Sequence, residues 1–301
     1  TDQTEWKTRK APWRSEDWPE LALWINERSD VIVRLLEACG RQECRFPISE
    51  CYDNPGKHFG RAGCVRKWAY LLVRAANNDI AEGRIESGLR QYFAVDQIGR
   101  HLCQQPVTVD ILAGWSVQAV ALWRVRGFLA EGPCEEAHLE SIEASLPPIA
   151  DRWSEFSPEV IEVEHLHRIK ERRNLPRRLW WYLRFGIGIW PDTEWNRIRE
   201  IYLRIVAERR ATRIMIALRR YKNGTGLWPR RLKEIEDELP PETFVDPLNG
   251  GSFVYGLFAG RVFTLYSKGV NNIDEAGRRN STFDVNSLRV IQHEDDISFW
   301  P

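Results

Sequence analysis

The chain is short of several things, and each shortage narrows what it can be. No apolar run approaches the roughly 20 residues that a membrane-spanning helix needs. The most apolar stretch, Ile111–Trp123, is interrupted by Ser116 and Gln118 and reads as a buried core helix. The cysteines form no Cys-x-x-Cys, no haem-attachment sequence and no zinc-finger rhythm. There is no phosphate-binding glycine loop, no Gly-x-Ser-x-Gly elbow and no His-Glu-x-x-His pair. Methionine occurs once, and only 8 of the 43 basic residues are lysine. The opening Thr1-Asp2-Gln3 has neither a methionine nor an apolar targeting core, and reads as the start of a processed or trimmed chain.

At 301 residues there is room for two domains, or for one large domain plus a module. Fourteen tryptophans against 8 tyrosines supply much buriable area. Net charge is zero, yet the charges are sorted: residues 1–164 carry −7, 165–235 carry +13 and 236–301 carry −6. Either the acidic ends pack against the basic middle, or the middle meets an anionic partner. Cys39, Cys44, Cys51, Cys64, Cys103 and Cys134 make an even set, four of them between residues 39 and 64. Such clustering is expected to form one to three disulfides in an oxidising compartment. Reduced, packed thiols are the alternative.

Periodicity predicts a mainly α-helical chain. Residues 1–16 read as a loose arm. Asp17-Trp18-Pro19 opens a helix that Gly40 stops, and a loop containing the cysteines follows (39–64). Helices over 61–82 and 84–103 form an αα-hairpin turning at Glu82-Gly83. A helix over 107–130 is apolar nearly all round and suits the middle of a bundle. A shorter helix, 133–146, ends at Pro147-Pro148. These belong to an α-helical domain, 17–190, an antiparallel helical array. The longest helix, about 192–222, carries the stripe Trp195, Ile198, Tyr202, Ile205, Ile214, Leu218 and Tyr221. It opens a second part, 191–301. There Phe253–Tyr255 and Arg261–Tyr266 read as a strand pair, 268–282 as a polar loop and 284–292 as a last strand.

Candidate chemistry is sparse. Glu162, Glu164, His165 and His167 crowd one short segment, but residues two apart diverge on a helix, so the pattern reads as a solvated face. His58 among the cysteines lacks an evident orienting partner for a Cys/His nucleophile. Glu135/Glu136 and Asp295/Asp296 have no apolar neighbours in sequence to raise a carboxyl pKa, and read as solvated pairs. The basic belt carries more. Arg172, Arg173, Arg177 and Arg178 precede Trp180 and Trp181, and Arg213 and Arg220 stand on the long helix. Arginines beside aromatic rings can follow an anionic polymer. They can equally cover the rings with their stems while pairing with acidic residues.

The order Ile216–Tyr221, Asn223-Gly224, Leu227-Trp228-Pro229, Asp246-Pro247, Tyr255 and Leu265-Tyr266-Ser267-Lys268-Gly269 resembles the globular end of the major pseudopilin of bacterial type II secretion. It is also similar to exported bacterial proteins that carry such an end behind a helical domain. The match covers roughly 211–286. The resemblance implies a small antiparallel β module behind a long helix, an extracytoplasmic, periplasm-like setting and a role in assembly. It also implies a calcium position at the Leu265 carbonyl, Ser267, Asn271, Asp274 and Asp284, with Asn271 standing where the family has aspartate. Pilins assemble through an apolar N-terminal helix. None stands here, so the resemblance implies either its removal, with any anchor it provided, or a protein outside the filament.

The expected protein is therefore a non-catalytic, exported assembly or scaffold component with a protein partner, no bound cofactor unless calcium, and no membrane span. One alternative is a module binding an acidic protein or glycan, or less readily nucleic acid, through 168–220. Another is a hydrolase of a type these motifs do not reveal.

Overall fold

A computed structural model describes residues 7–46, 55–148, 153, 193–258, 260, 262–284 and 289–299. It is mainly helical with small antiparallel sheets toward the C-terminus, the expected class. The chain divides into two units, 1–121 with 150–202 and 122–149 with 203–301. Among the described residues no helix is long and apolar enough to cross a membrane.

The first unit holds α1 (Pro19–Asn26), α2 (Ser29–Cys39), α3 (Pro55–Ala81), α4 (Ile85–Cys103) and the start of α5 (Thr108–Glu131). Helices α3 and α4 turn at Gly83, whose φ of 80° is the left-handed value that glycine takes without strain. Val65, Ala69, Leu72 and Val73 of α3 and Val95, Ile98 and Leu102 of α4 fall at helical spacing. They meet Ala113, Val117 and Ala121 of α5 in one core. Helices α4 and α5 cross at Gly99 and Gly114, where a Cβ on Gly114 would lie 2.6 Å from the Gly99 carbonyl oxygen.

Two expectations change here. The helix expected from Pro19 to Gly40 is two helices, broken at Glu27-Arg28. Arg28 donates to the Trp24 carbonyl at 2.9 Å and lies 4.2 Å over the Trp24 ring. Nor are residues 7–16 loose. Trp13 is buried and donates from Nε1 to the Arg74 carbonyl, while the Asn77 and Asn78 amides donate to the carbonyls of Thr8 and Trp13. A polar segment is held because two α3 asparagines satisfy its backbone, a pairing that periodicity does not reveal.

The second unit holds the rest of α5, α6 (Glu136–Ser145) and most of α7 (Thr193–Thr225). Ile205, Val206, Ile214, Met215 and Leu218 of α7 are buried. Two 3₁₀ turns, Leu232–Glu238 and Pro241–Phe244, lead into the strands. Strands β1 (Val254–Phe258) and β2 (Val262–Ser267) pair antiparallel from Val254 opposite Tyr266 to Phe258 opposite Val262. Strand β5 (Ile297–Ser298) lies on the other edge of β2. Strands β3 (Arg279–Asp284) and β4 (Arg289–Asp295) form a separate pair, bulged between Asn280 and Ser281. The loop expected over 268–282 thus ends early, and the last long strand lies five residues later than expected. Strand β3 has one apolar residue, Phe283, and so carries no alternation to read.

Ring contacts join these parts. Trp228 meets Phe263 edge-on at 4.7 Å, Phe253 meets Phe299 at 5.7 Å, and Tyr255 donates to the Pro229 carbonyl at 2.7 Å. Arg126 is buried on α5. It pairs with Glu208 and donates to Thr212 Oγ1 and to the Phe299 carbonyl, tying two helices to the C-terminal segment.

The disulfides expected of Cys39, Cys44, Cys64, Cys103 and Cys134 are not formed; all five are unbridged thiols, and Cys51 lies outside the described residues. The Cys39 thiol donates to the Ala94 carbonyl, and Gln118 donates to Cys103 Sγ. Cys134 is buried and donates to the Glu135 carbonyl. Burial raises the Cys39 and Cys134 thiols to about 11 each, so both are held as neutral packing groups.

Candidate functional site

The described members of the calcium set implied by the resemblance are engaged in hydrogen bonds within the module. The Leu265 carbonyl accepts the Phe299 amide, the rung that carries β5 on β2. Ser267 is buried, donating to Asp246 Oδ2 at 2.6 Å and accepting the Gly269 amide. Asn271 accepts the Ile273 amide and donates to Glu275. Asp274 accepts the Tyr266 hydroxyl and the Ala276 amide. The Asp274 carboxyl lies below its usual range, chiefly through the Tyr266 hydrogen bond, while burial and that bond push Tyr266 up to about 12. The side chain of Asp284 lies outside the described residues.

Three other carboxylates do converge. Glu275, Asp295 and Asp296 each offer an oxygen, and these oxygens lie within 4.8 Å of one another. The sequence separates Glu275 from the pair by twenty positions; backbone amides close that gap. Asp295 Oδ2 accepts the Val270 and Asn271 amides, and Asp296 Oδ2 accepts those of Glu275 and Gly277. Glu275 Oε2 in return accepts the amides of Asp295 and Asp296. The loop 270–277 and the end of β4 therefore hold each other by side chain to backbone. Gly269, at φ 64°, lets the strand leave against Asp295; a Cβ there would lie 2.3 Å from Asp295 Cγ.

The pair Asp295/Asp296, read as solvated, is not. Asp296 is wholly buried. Among the described residues, no hydrogen-bond donor reaches its Oδ1 or Asp295 Oδ1. Burial raises the Asp296 carboxyl above its usual range. Burial also acts upward on Glu275, but the Asn271 amide and the Asp295 and Asp296 backbone bring it below the usual carboxylate range. Among the described residues no lysine or arginine pairs with any of the three. The arrangement suits a proton or a hard cation shared between facing carboxylates. Sequence reading missed it because the turn-closing amides, not the neighbouring side chains, decide the burial.

The basic belt is partly placed. Arg213 donates to the Leu146 and Pro147 carbonyls at the end of α6, and Arg220 pairs with Glu136 and Glu143 of that helix. Both tie α7 to α6 within the second unit. Arg172, Arg173, Arg177, Arg178, Trp180 and Trp181 lie outside the described residues, as do Glu162, Glu164, His165 and His167 and the side chain of His58. Glu135 and Glu136 sit at the start of α6, where Glu135 caps the helix and accepts amides while its own amide donates to His138.

No protein-family model matches the chain, and comparison with curated proteins and with solved structures finds no match.

Proposed function

We propose that the chain is an assembly or interaction component working outside the cytoplasm, not a catalyst. The supporting observation is how the second unit uses its polar groups. Arg126 joins two helices to the C-terminal segment. Arg213 and Arg220 join α7 to α6. Buried Asp246 accepts the Leu248 amide, the Asn249 amide group and the Ser267 hydroxyl. Groups that elsewhere carry chemistry here tie segments together, as a protein whose product is a shaped surface requires. The likeness of 211–286 to a pseudopilin end supports the setting. That support stands alone, because the described cysteines are unbridged.

The test is in-cell crosslinking at natural abundance with separation of cell compartments. The proposal expects the protein in the extracytoplasmic fraction with one recurrent crosslinked protein. Recovery from the cytosol would remove the setting. Crosslinks scattered over abundant proteins with none recurrent would remove the role.

A further inference from the structure

We propose that α1 and α2 form the docking surface for a basic amphipathic helix of a partner protein. The inference rests on the reading of this chain as an interaction component, and names the surface and the chemistry of what meets it.

Three observations carry it. The first is unfinished packing. Both helices are rich in leucine, isoleucine and valine, yet neither buries a single residue. On the inner side of α2, Ile32, Leu35, Leu36 and Cys39 rest partly buried on the core of the first unit. On the outer side Leu23 is 61% exposed and Val33 52%. With 8 and 11 residues, both helices are shorter than the roughly 12–15 that hold in water alone, so they depend on what packs against them.

The second is a repeated pattern. One exposed leucine or valine is ordinary, but here the same setting occurs twice. Glu20, Leu23 and Glu27 fall at i, i+3 and i+7, on one face of α1 and its C-cap. Asp30, Val33 and Glu37 fall at the same spacing on α2. Each exposed apolar side chain thus stands between two exposed acids.

The third is the placing of those acids. A glutamate at a helix C-terminus faces the negative end of the dipole and works against its own helix. Glu27 caps α1, Glu37 lies in the last turn of α2, and neither last turn holds a basic residue. Glu27 has exposed Arg28 at 3.4 Å, while Glu20, Asp30 and Glu37 form no ion pair among the described residues. A cation brought from outside relieves both helix ends.

Charge selects the occupant. Glu20, Glu27, Asp30 and Glu37 against Arg28 and Arg34 leave residues 19–39 at −2. A second copy, an anionic membrane or a nucleic acid brings like charge to this face. A helix whose apolar stripe runs between lysines or arginines brings the opposite. Its stripe covers Leu23 and Val33, and its flanks meet the acids.

The experiment uses the full purified chain. The probe is a fluorescent peptide of leucine and lysine at amphipathic helical spacing, set against the same peptide with glutamate for every lysine. Anisotropy titration is expected to show one lysine peptide per chain, bound at least about tenfold tighter than the glutamate peptide and weakened by salt. E27K/E37K puts favourable charge at both helix ends, so it is expected to melt no lower than wild type. It should nonetheless weaken the lysine peptide by at least about tenfold and strengthen the glutamate peptide. L23S/V33S should weaken both. Equal affinity for the two peptides, or lysine-peptide binding unchanged in E27K/E37K, would overturn the proposal. So would a wild-type dimer in sedimentation that L23S/V33S dissolves, which assigns the face to a second copy. The in-cell crosslink separates this inference from the reading beneath it. Its loss in E27K/E37K supports the surface. Its retention in both variants removes the surface and leaves the interaction role standing. No recurrent crosslink even in wild type removes that role, and this inference with it.

Discussion

Arg126 is the place where one substitution should cost most. Its side chain is 2% exposed and ion-paired to Glu208, whose side chain is 18% exposed. Nε donates to the Phe299 carbonyl at 3.0 Å, and Nη1 donates to Thr212 Oγ1 at 3.1 Å and to the Glu208 carbonyl at 3.3 Å. Replacement by methionine keeps most of the stem's packing and removes all of these at once. Removing one partner of a buried pair costs about 3–5 kcal/mol, because the other charge stays buried and unpaired. The Phe299 carbonyl is also left without its donor, so R126M should fall in the upper part of that range. With a urea m-value near 3 kcal/mol/M, the midpoint should drop by about 1–2 M. Far-UV circular dichroism against urea reads this directly. R126M/E208Q removes the orphaned charge and should recover part of the loss but not all. Hydrogen exchange should also rise at Ser298 and Phe299, whose segment Arg126 anchors. A midpoint shift corresponding to less than about 1 kcal/mol, or a double variant no better than R126M, would refute the reasoning.

Glycines on one helix should answer oppositely. G114A places a methyl 2.6 Å from the Gly99 oxygen and 2.7 Å from Cys103 Sγ, so it should destabilise by about 1–3 kcal/mol. G127A meets nothing within 4 Å and should stabilise by about 0.5–1 kcal/mol in the same thermal melts. W13A, emptying a buried site, should cost about 3–5 kcal/mol and expose residues 7–16 to protease. Exposed Cys64 should react with a disulfide reagent at pH 8 well before Cys39 or Cys134, whose raised pKa keeps them protonated. Both thiols are raised in the folded state, so their contribution to stability is full below the ordinary thiol pKa. It is lost as pH climbs toward about 11, and replacing either by serine should flatten that decline in a pH series of urea melts.

The helices were legible because their apolar spacing is local. Leu72, Val95 and Val117 announce α3, α4 and α5 from within a few turns of each. The β1–β2 pair was legible from Phe253–Tyr255 and Arg261–Tyr266 around a glycine-bearing turn. What was not legible depends on partners far apart in sequence. Asn77 and Asn78 hold the N-terminal segment across more than sixty positions. Arg126 finds Phe299 across 173. Glu275 meets Asp295 and Asp296 through backbone amides whose positions no pattern of side chains gives. Cysteine clustering misled for a related reason: packing against the Ala94 carbonyl satisfies Cys39 without a bridge, and composition does not distinguish the two.

The claim on which the functional account turns is that this chain works by being part of something. Native mass spectrometry of protein isolated from its own cells under gentle conditions weighs that claim most directly. The account predicts a complex of fixed mass holding this chain and a second polypeptide in constant ratio across preparations. A bare monomer at the mass of a single chain, recovered quantitatively under conditions that keep known complexes intact, would contradict it.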